Sequence, residues 1–176
     1  ASRMPGLVFE RHDWLENGFA EGSFDHAYAI ESSEHMADKQ RFFDEAFRTL
    51  RPGGRLAVCA WLARDSLRPW QVTHLLEPIC REGRLPSMGS RKDYIDFAVA
   101  AGFRIIGFDD LTAQVKRTWA ICARRLLGRL VSQPRYIRML ANMAPGNRLF
   151  ALSLPRLMLA YRTGAMRYGL LVLEKD

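Results

Sequence analysis

The chain has 176 residues, 48% hydrophobic and 26% charged, and carries a net charge of +7. That balance suits one soluble globular domain with a real core. It excludes a disordered chain, and no apolar run approaches the roughly 20 residues a membrane span needs.

The three cysteines, Cys59, Cys80 and Cys122, stand far apart in apolar contexts. With no CxxC pair and no Cys/His cluster, neither a disulfide framework nor a metal site is expected, and buried thiols in a reducing cytosol are. The opening residues ASRMPGLVF have no signal-peptide layout and no initiator Met, which points to a natural N-terminus elsewhere. Charge is uneven. Residues 1–60 hold seven Lys/Arg against ten Asp/Glu, and residues 111–176 hold twelve against two. Such asymmetry fits either a basic face for an anionic partner or a plain solvated surface.

In chain order, Leu7–Glu10 is a short apolar run that reads as a buried parallel strand. His12–Asn17 follows as a loop with Asp13 and Trp14. Gly22-Ser23 precedes a strand over His26–Ile30. Asp38 is placed to cap a helix reaching Leu50, with Phe42, Phe43, Ala46, Phe47 and Leu50 on one face. Arg51-Pro52-Gly53-Gly54 stops it, and Arg55–Trp61 reads as a second buried strand.

Ser66–Arg81 reads as a helix that Pro78 should kink or end. Leu85–Gly89 is a loop. Ser90 and Asp93 form a capping box for a helix to Ala101, with Gly102 at its stop. Phe103–Phe108 reads as a strand and Ala113–Leu130 as a long basic helix. Gln133–Tyr161 reads as one or two helices broken at Pro145-Gly146 and Pro155, and Arg167–Glu174 as a last strand. Strands alternating with helices imply an α/β fold.

In such sheets ligands bind beyond the carboxyl ends of parallel strands, which draws attention to Glu31, Glu34 and His35 just past Ile30. His35 is the general-base candidate, since imidazole titrates near neutral pH; the alternative is a residue that orders the start of the helix. Trp61 falls past the next strand, where it could line a cavity or fill a core. His12, His26 and His74 read as structural. Asp25 reads as a strand-start residue.

The succession LVFERHDW, GSFDHAYAIESSEHMADKQRFFDEAFRTLRPGGRLAVCAW and LP…S…DYIDFAVAAGFRIIGFDDL resembles class I S-adenosylmethionine-dependent methyltransferases. Among these it is most similar to the tocopherol, sterol and related small-molecule group. The resemblance covers Leu7 to Asp110 and, loosely, the last strand. It implies a Rossmann-like methyltransferase sheet with a helical substrate-side insertion near the C-terminus. On that reading residues 1–176 are one partial domain, with residues 111–166 a basic helical cover.

The same resemblance assigns Asp13 and Trp14 to the adenine of S-adenosylmethionine and Glu31 to its methionine end. Their place past the strands makes His35 and Glu34 the catalytic candidates and Trp61 the candidate acceptor contact. Turn-capping remains open for Asp13, and helix capping accounts for Ser90 and Asp93 beside Tyr94.

The resemblance also implies a Gly-rich loop after a first strand and an acidic residue after a second, and nothing before Leu7 supplies them. The expectation is an N-terminally truncated domain lacking its first two strands, weak in binding cofactor alone. Methyl transfer to a small lipophilic or aromatic acceptor is the leading reading. The alternative is a cofactor-incompetent binding or assembly module, or one part of a split methyltransferase completed by an N-terminal half or an oligomer. An anionic membrane is the expected partner of the basic third, giving a cytoplasmic or peripheral-membrane protein. Nucleic acid is not expected, because the basic residues are interleaved with Leu and Met at helical spacing.

Overall fold

The computed structural model describes residues 6–142 and 153–176. The helix break expected at Pro145-Gly146 lies outside the described residues.

The frame is a four-stranded sheet in the order β1-β2-β4-β3. Strand β1 is Phe24–Ile30, β2 is Leu50–Ala63, β3 is Phe103–Asp110 and β4 is Met166–Lys175. β1 and β2 run parallel, whereas β4 is antiparallel to both β2 and β3. The expected Arg51–Gly54 turn is a bulge inside β2: Phe24 pairs with Leu50 but His26 pairs with Arg55. Gly53 takes φ 76 within it, a conformation glycine adopts without strain.

Helix α1, Lys39–Thr49, lies between the parallel strands. Asp38 caps it by accepting from Arg41 N at 2.8 Å. Its stripe of Phe42, Phe43 and Ala46 is buried against Leu56, Val58, Ala60 and Leu62, the alternate residues of β2. Helix α4, Arg91–Ala100, covers the same face, opened by the Ser90–Asp93 capping box. The opposite face of β2 presents Cys59 and Trp61 to a second core around Leu76, Ile79, Leu157, Tyr161 and Tyr168.

Two expectations need correcting. Leu7–Glu10 forms no strand: Leu7, Val8 and Phe9 are 57%, 80% and 91% exposed. The run is apolar, but no strand lies beside it among the described residues, so its backbone has no ladder to join. Of the two outcomes expected at Pro78, a kink or an end, the structure overturns the end. The chain continues from α2, Pro69–Gln71, through a π segment, Val72–Leu76, into α3, Glu77–Gly83. Glu77 N donates to Val72 O, five residues back. That widened turn accommodates a residue that has no N–H and whose ring crowds the preceding turn.

The basic segment forms α5, Thr112–Ser132, then α6, Pro134–Asn142. Helix α7, Leu154–Arg162, returns along α5 and feeds β4.

Candidate functional site

Beyond the carboxyl end of β1 the chain passes through Glu31 at φ 49, a left-handed conformation that costs a non-glycine residue energy. Glu31 N donates to Cys59 O at 2.9 Å, which carries the β1–β2 ladder one residue past the strand. A single 3-10 turn, Ser33–His35, follows.

Glu34 is 2% exposed. Its Oε1 accepts from Trp61 N at 2.6 Å, so it ties the loop after β1 to the end of β2. Ser33 Oγ meets Tyr94 Oη at 2.9 Å, and Lys39 Nζ donates to Met36 O at 3.2 Å and to Ser87 Oγ at 3.0 Å. Burial pushes the Glu34 carboxyl above its ordinary range, against the bond from Trp61. Glu34 therefore ties the loop down, and His35 stands exposed at the rim.

These residues edge a cavity of about 360 Å³ lined by Glu31, Glu34, His35, Trp61, Leu85 and Trp119. The Trp61 and Trp119 rings meet edge to face at 5.5 Å. Tyr161 and Tyr168 pack against them, and burial raises both phenols, with the Glu31 carboxylate adding to the effect. Trp61 Nε1, Trp119 Nε1 and Tyr161 Oη are buried without completed hydrogen bonds. Burial and Glu31 likewise raise the Cys59 thiol.

A second, smaller groove of about 140 Å³ lies beside β1, lined by Trp14, Tyr28, Ala29, Ser32 and Met36. Asp13 caps the turn Trp14–Glu16, accepting from Leu15 N at 3.0 Å. Trp14 Nε1 donates to Phe42 O at 3.1 Å, which fixes the indole on α1. Buried Glu45 anchors the rest of that segment. It accepts from Asn17 Nδ2 at 3.0 Å and pairs with Arg48 at 2.6 Å and Arg41 at 2.8 Å. Arg41 Nε and Arg48 Nη1 then donate to the carbonyls of Leu15 and Phe19.

The structure thus gathers Glu31, Glu34, His35 and Trp61 around one cavity, and sets Asp13 and Trp14 apart on the far side of the β1 terminus. Sequence reading passed over Tyr161 and Tyr168, which pack behind Trp61 and Trp119, and the Glu45 anchor. Trp119 alone left a signal, as an indole on the inward stripe of a basic helix. Tyr94 is buried beneath the Ser33 turn. Asp25 pairs with Arg51 at 2.8 Å where β1 begins.

Residues 2–58 match the family described as "Methyltransferase domain". The chloroplastic tocopherol O-methyltransferase of Arabidopsis thaliana is 27% identical over 175 residues, 95% of this chain and 48% of that protein. Cycloartenol-C-24-methyltransferase 1 of Oryza sativa subsp. japonica is 31% identical over 113 residues, 63% of this chain and 33% of that protein. Among solved structures, geranyl diphosphate C-methyltransferase from Streptomyces coelicolor A3(2), in complex with Mg2+, geranyl diphosphate and S-adenosyl-L-homocysteine, superposes with a TM-score of 0.69 at 17% identity. It covers 93% of this chain and 50% of that one. The [4+2]-cyclase SpnF superposes with a TM-score of 0.70 at 20% identity, over 96% of this chain and 55% of that one. The chain therefore spans about half or less of the length of the relatives it matches.

Proposed function

We propose that this chain, part of a class I S-adenosylmethionine-dependent methyltransferase domain, builds the acceptor side of a methyl-transfer site for a small, neutral, lipophilic molecule. The cavity at the carboxyl ends of the two parallel strands carries the reading. It has an aromatic wall, an acidic floor and a histidine at its mouth. That combination of apolar lining and a few placed polar groups is the usual character of a small-molecule site.

The residues present fit the cofactor. Trp14, Tyr28 and Met36 offer a flat apolar slot for a purine, and Asp13, adjacent to Trp14 in sequence, carries a carboxylate of the kind that accepts from an exocyclic amine. Glu31 offers a carboxylate toward a cationic group. S-adenosylmethionine, when bound, supplies an electrophilic methyl. The demand on the protein is then alignment, and the Glu34–Trp61 bond fixes the acceptor wall relative to the Glu31 turn. A hydroxyl acceptor must lose its proton, and a His35 ring nitrogen at the rim takes it. No Lys or Arg lines the cavity among the described residues, and two carboxylates do, which disfavours an anionic acceptor such as a diphosphate.

A second reading rests on the edge of β1. Tyr28 and Ile30 are 79% and 62% exposed, and one side of the strand pairs with nothing among the described residues. On that reading the chain is one part of a split enzyme or an assembly module, and the edge takes a strand from a complementing Gly-rich segment.

Calorimetry of the chain with S-adenosylmethionine, followed by transfer of labelled methyl to phenolic and sterol acceptors, tests both readings. Saturable binding that Glu31→Ala removes supports the first. Binding only after a Gly-rich segment is supplied supports the second. No binding in either case overturns the methyl-transfer reading.

A further inference from the structure

From Leu111 to Leu173 the chain contains eleven Lys/Arg and no Asp or Glu. Most of that stretch described in the structure is α5 and α6. Helix α5 turns Val115, Trp119, Ala123, Leu126 and Leu130 toward α7 and the cavity, and none of its residues is buried.

A different flank carries Ala113, Ala120, Leu127 and Val131, spaced so that they form one stripe. Leu127 is 62% and Val131 87% exposed. Lys116 borders the stripe on one side, and Arg117 and Arg124 on the other, all exposed. On α6, Ile137 is 55% exposed between exposed Arg135 and Arg138. An apolar stripe bordered by long cationic side chains suits the boundary between lipid headgroups and acyl chains. The aliphatic residues enter there while the arginine and lysine heads reach phosphates. Nucleic acid would engage the charges but leave Leu127 and Val131 in water.

We infer that the exposed flank of α5, continued by α6, docks on an anionic lipid surface. The wall of the cavity and the docking face are then two sides of one helix: Trp119 lines the cavity while Leu127 and Val131, two to three turns further on, meet the bilayer. A lipophilic acceptor would pass from membrane to cavity along α5. That route rests on the proposed function, whereas the docking face does not.

The test is sedimentation of the chain with phosphatidylcholine vesicles, with and without about 30% phosphatidylglycerol, at about 50 and about 500 mM salt. The expected result is at least about tenfold stronger partitioning onto anionic vesicles, weakened by salt. Arg117→Gln with Arg124→Gln should remove most of the preference for anionic lipid. Leu127→Ser with Val131→Ser should remove the binding that survives high salt. All four positions are exposed, so circular dichroism and melting temperature should match the parent.

Equal binding to neutral and anionic vesicles overturns the inference, as does binding to neither. A salt-dependent shift of RNA without vesicle binding overturns it in favour of a nucleic-acid face. Vesicle binding by a chain that never binds S-adenosylmethionine leaves the docking face standing and removes only the acceptor route.

Discussion

Glu34 and Glu45 are both carboxylates within 3% of full burial, yet their surroundings drive them in opposite directions. Desolvation dominates at Glu34 and raises its pKa above 4.5. A group raised on folding contributes stability that is complete below 4.5 and is lost as pH climbs through the folded value. Glu34→Gln keeps a carbonyl oxygen for Trp61 N and has no charge to bury. Urea midpoints from about pH 4 to about pH 8 should therefore show the parent losing ground to this variant as pH rises. A pH-independent difference would refute the assignment.

At Glu45 the hydrogen bond from Arg48 dominates and lowers the pKa. Its contribution is present above 4.5 and lost as pH falls through the folded value. Glu45→Gln should cost about 1–3 kcal/mol near neutral pH, with the deficit shrinking in acid. Because Glu45 also secures Asn17 and, through its two arginines, the carbonyls of Leu15 and Phe19, the variant should loosen the Trp14 groove. Hydrogen exchange at residues 13–19 would report that change.

At the scale of elements, the corner where α1 meets β3 and β4 turns on Phe47. Its ring meets Phe103 edge to face at 5.1 Å, and Lys175 Nζ lies 4.6 Å over its face. Lys175 Nζ also donates to the carbonyls of Phe47 and Leu50 at 2.8 Å each, placing a cation at the negative end of α1. Lys175→Met keeps the aliphatic length but strips both carbonyls of that donor, and should cost about 2–4 kcal/mol in chemical denaturation. Gly102 closes the same corner at φ 102, and a Cβ there would stand 2.9 Å from Phe47 Cζ. Gly102→Ala combines backbone strain with overpacking and should cost about 2–3 kcal/mol. A neutral result for either variant would mean the corner yields more easily than its geometry allows.

Much of this architecture was legible because it is local. Asp38 before an apolar stripe gives α1, Ser90 with Asp93 gives α4, and short apolar runs after glycines give β2 and β3. What was not legible depends on distant chain. Leu7–Glu10 has a strand's composition and no neighbour to pair with. The insertion of β4 between β2 and β3 is a long-range pairing that no local pattern encodes. The π segment before Pro78 is a backbone answer that residue types do not announce. The site divides the same way. Glu31, Glu34 and His35 follow a recognisable strand, whereas Tyr161 and Tyr168 come to pack behind Trp61 and Trp119 only through the return of α7 and β4.

At the scale of the whole molecule, the uneven charge predicts uneven stability. The acidic residues all lie outside α5 and α6, and several pair with basic ones: Glu174 meets Arg55 and Arg104, and Asp110 meets Arg167. Along α5 and α6 the cations have no acidic neighbour in sequence, and α5 has no buried residue to hold it. Like charges repel over a Debye length of about 30 Å at 0.01 M salt, which shrinks to about 10 Å at 0.1 M. Salt should therefore stabilise this pair of helices while leaving the sheet nearly unchanged, since exposed ion pairs contribute little there. Hydrogen exchange should show α5 amides gaining several-fold protection between those two salt concentrations, with β2 and β4 constant. Anionic vesicles should produce the same local gain at low salt, because lipid phosphates relieve the same repulsion. If salt protects every element equally, the basic third is not a separately strained unit, and its charge acts only on the molecule as a whole.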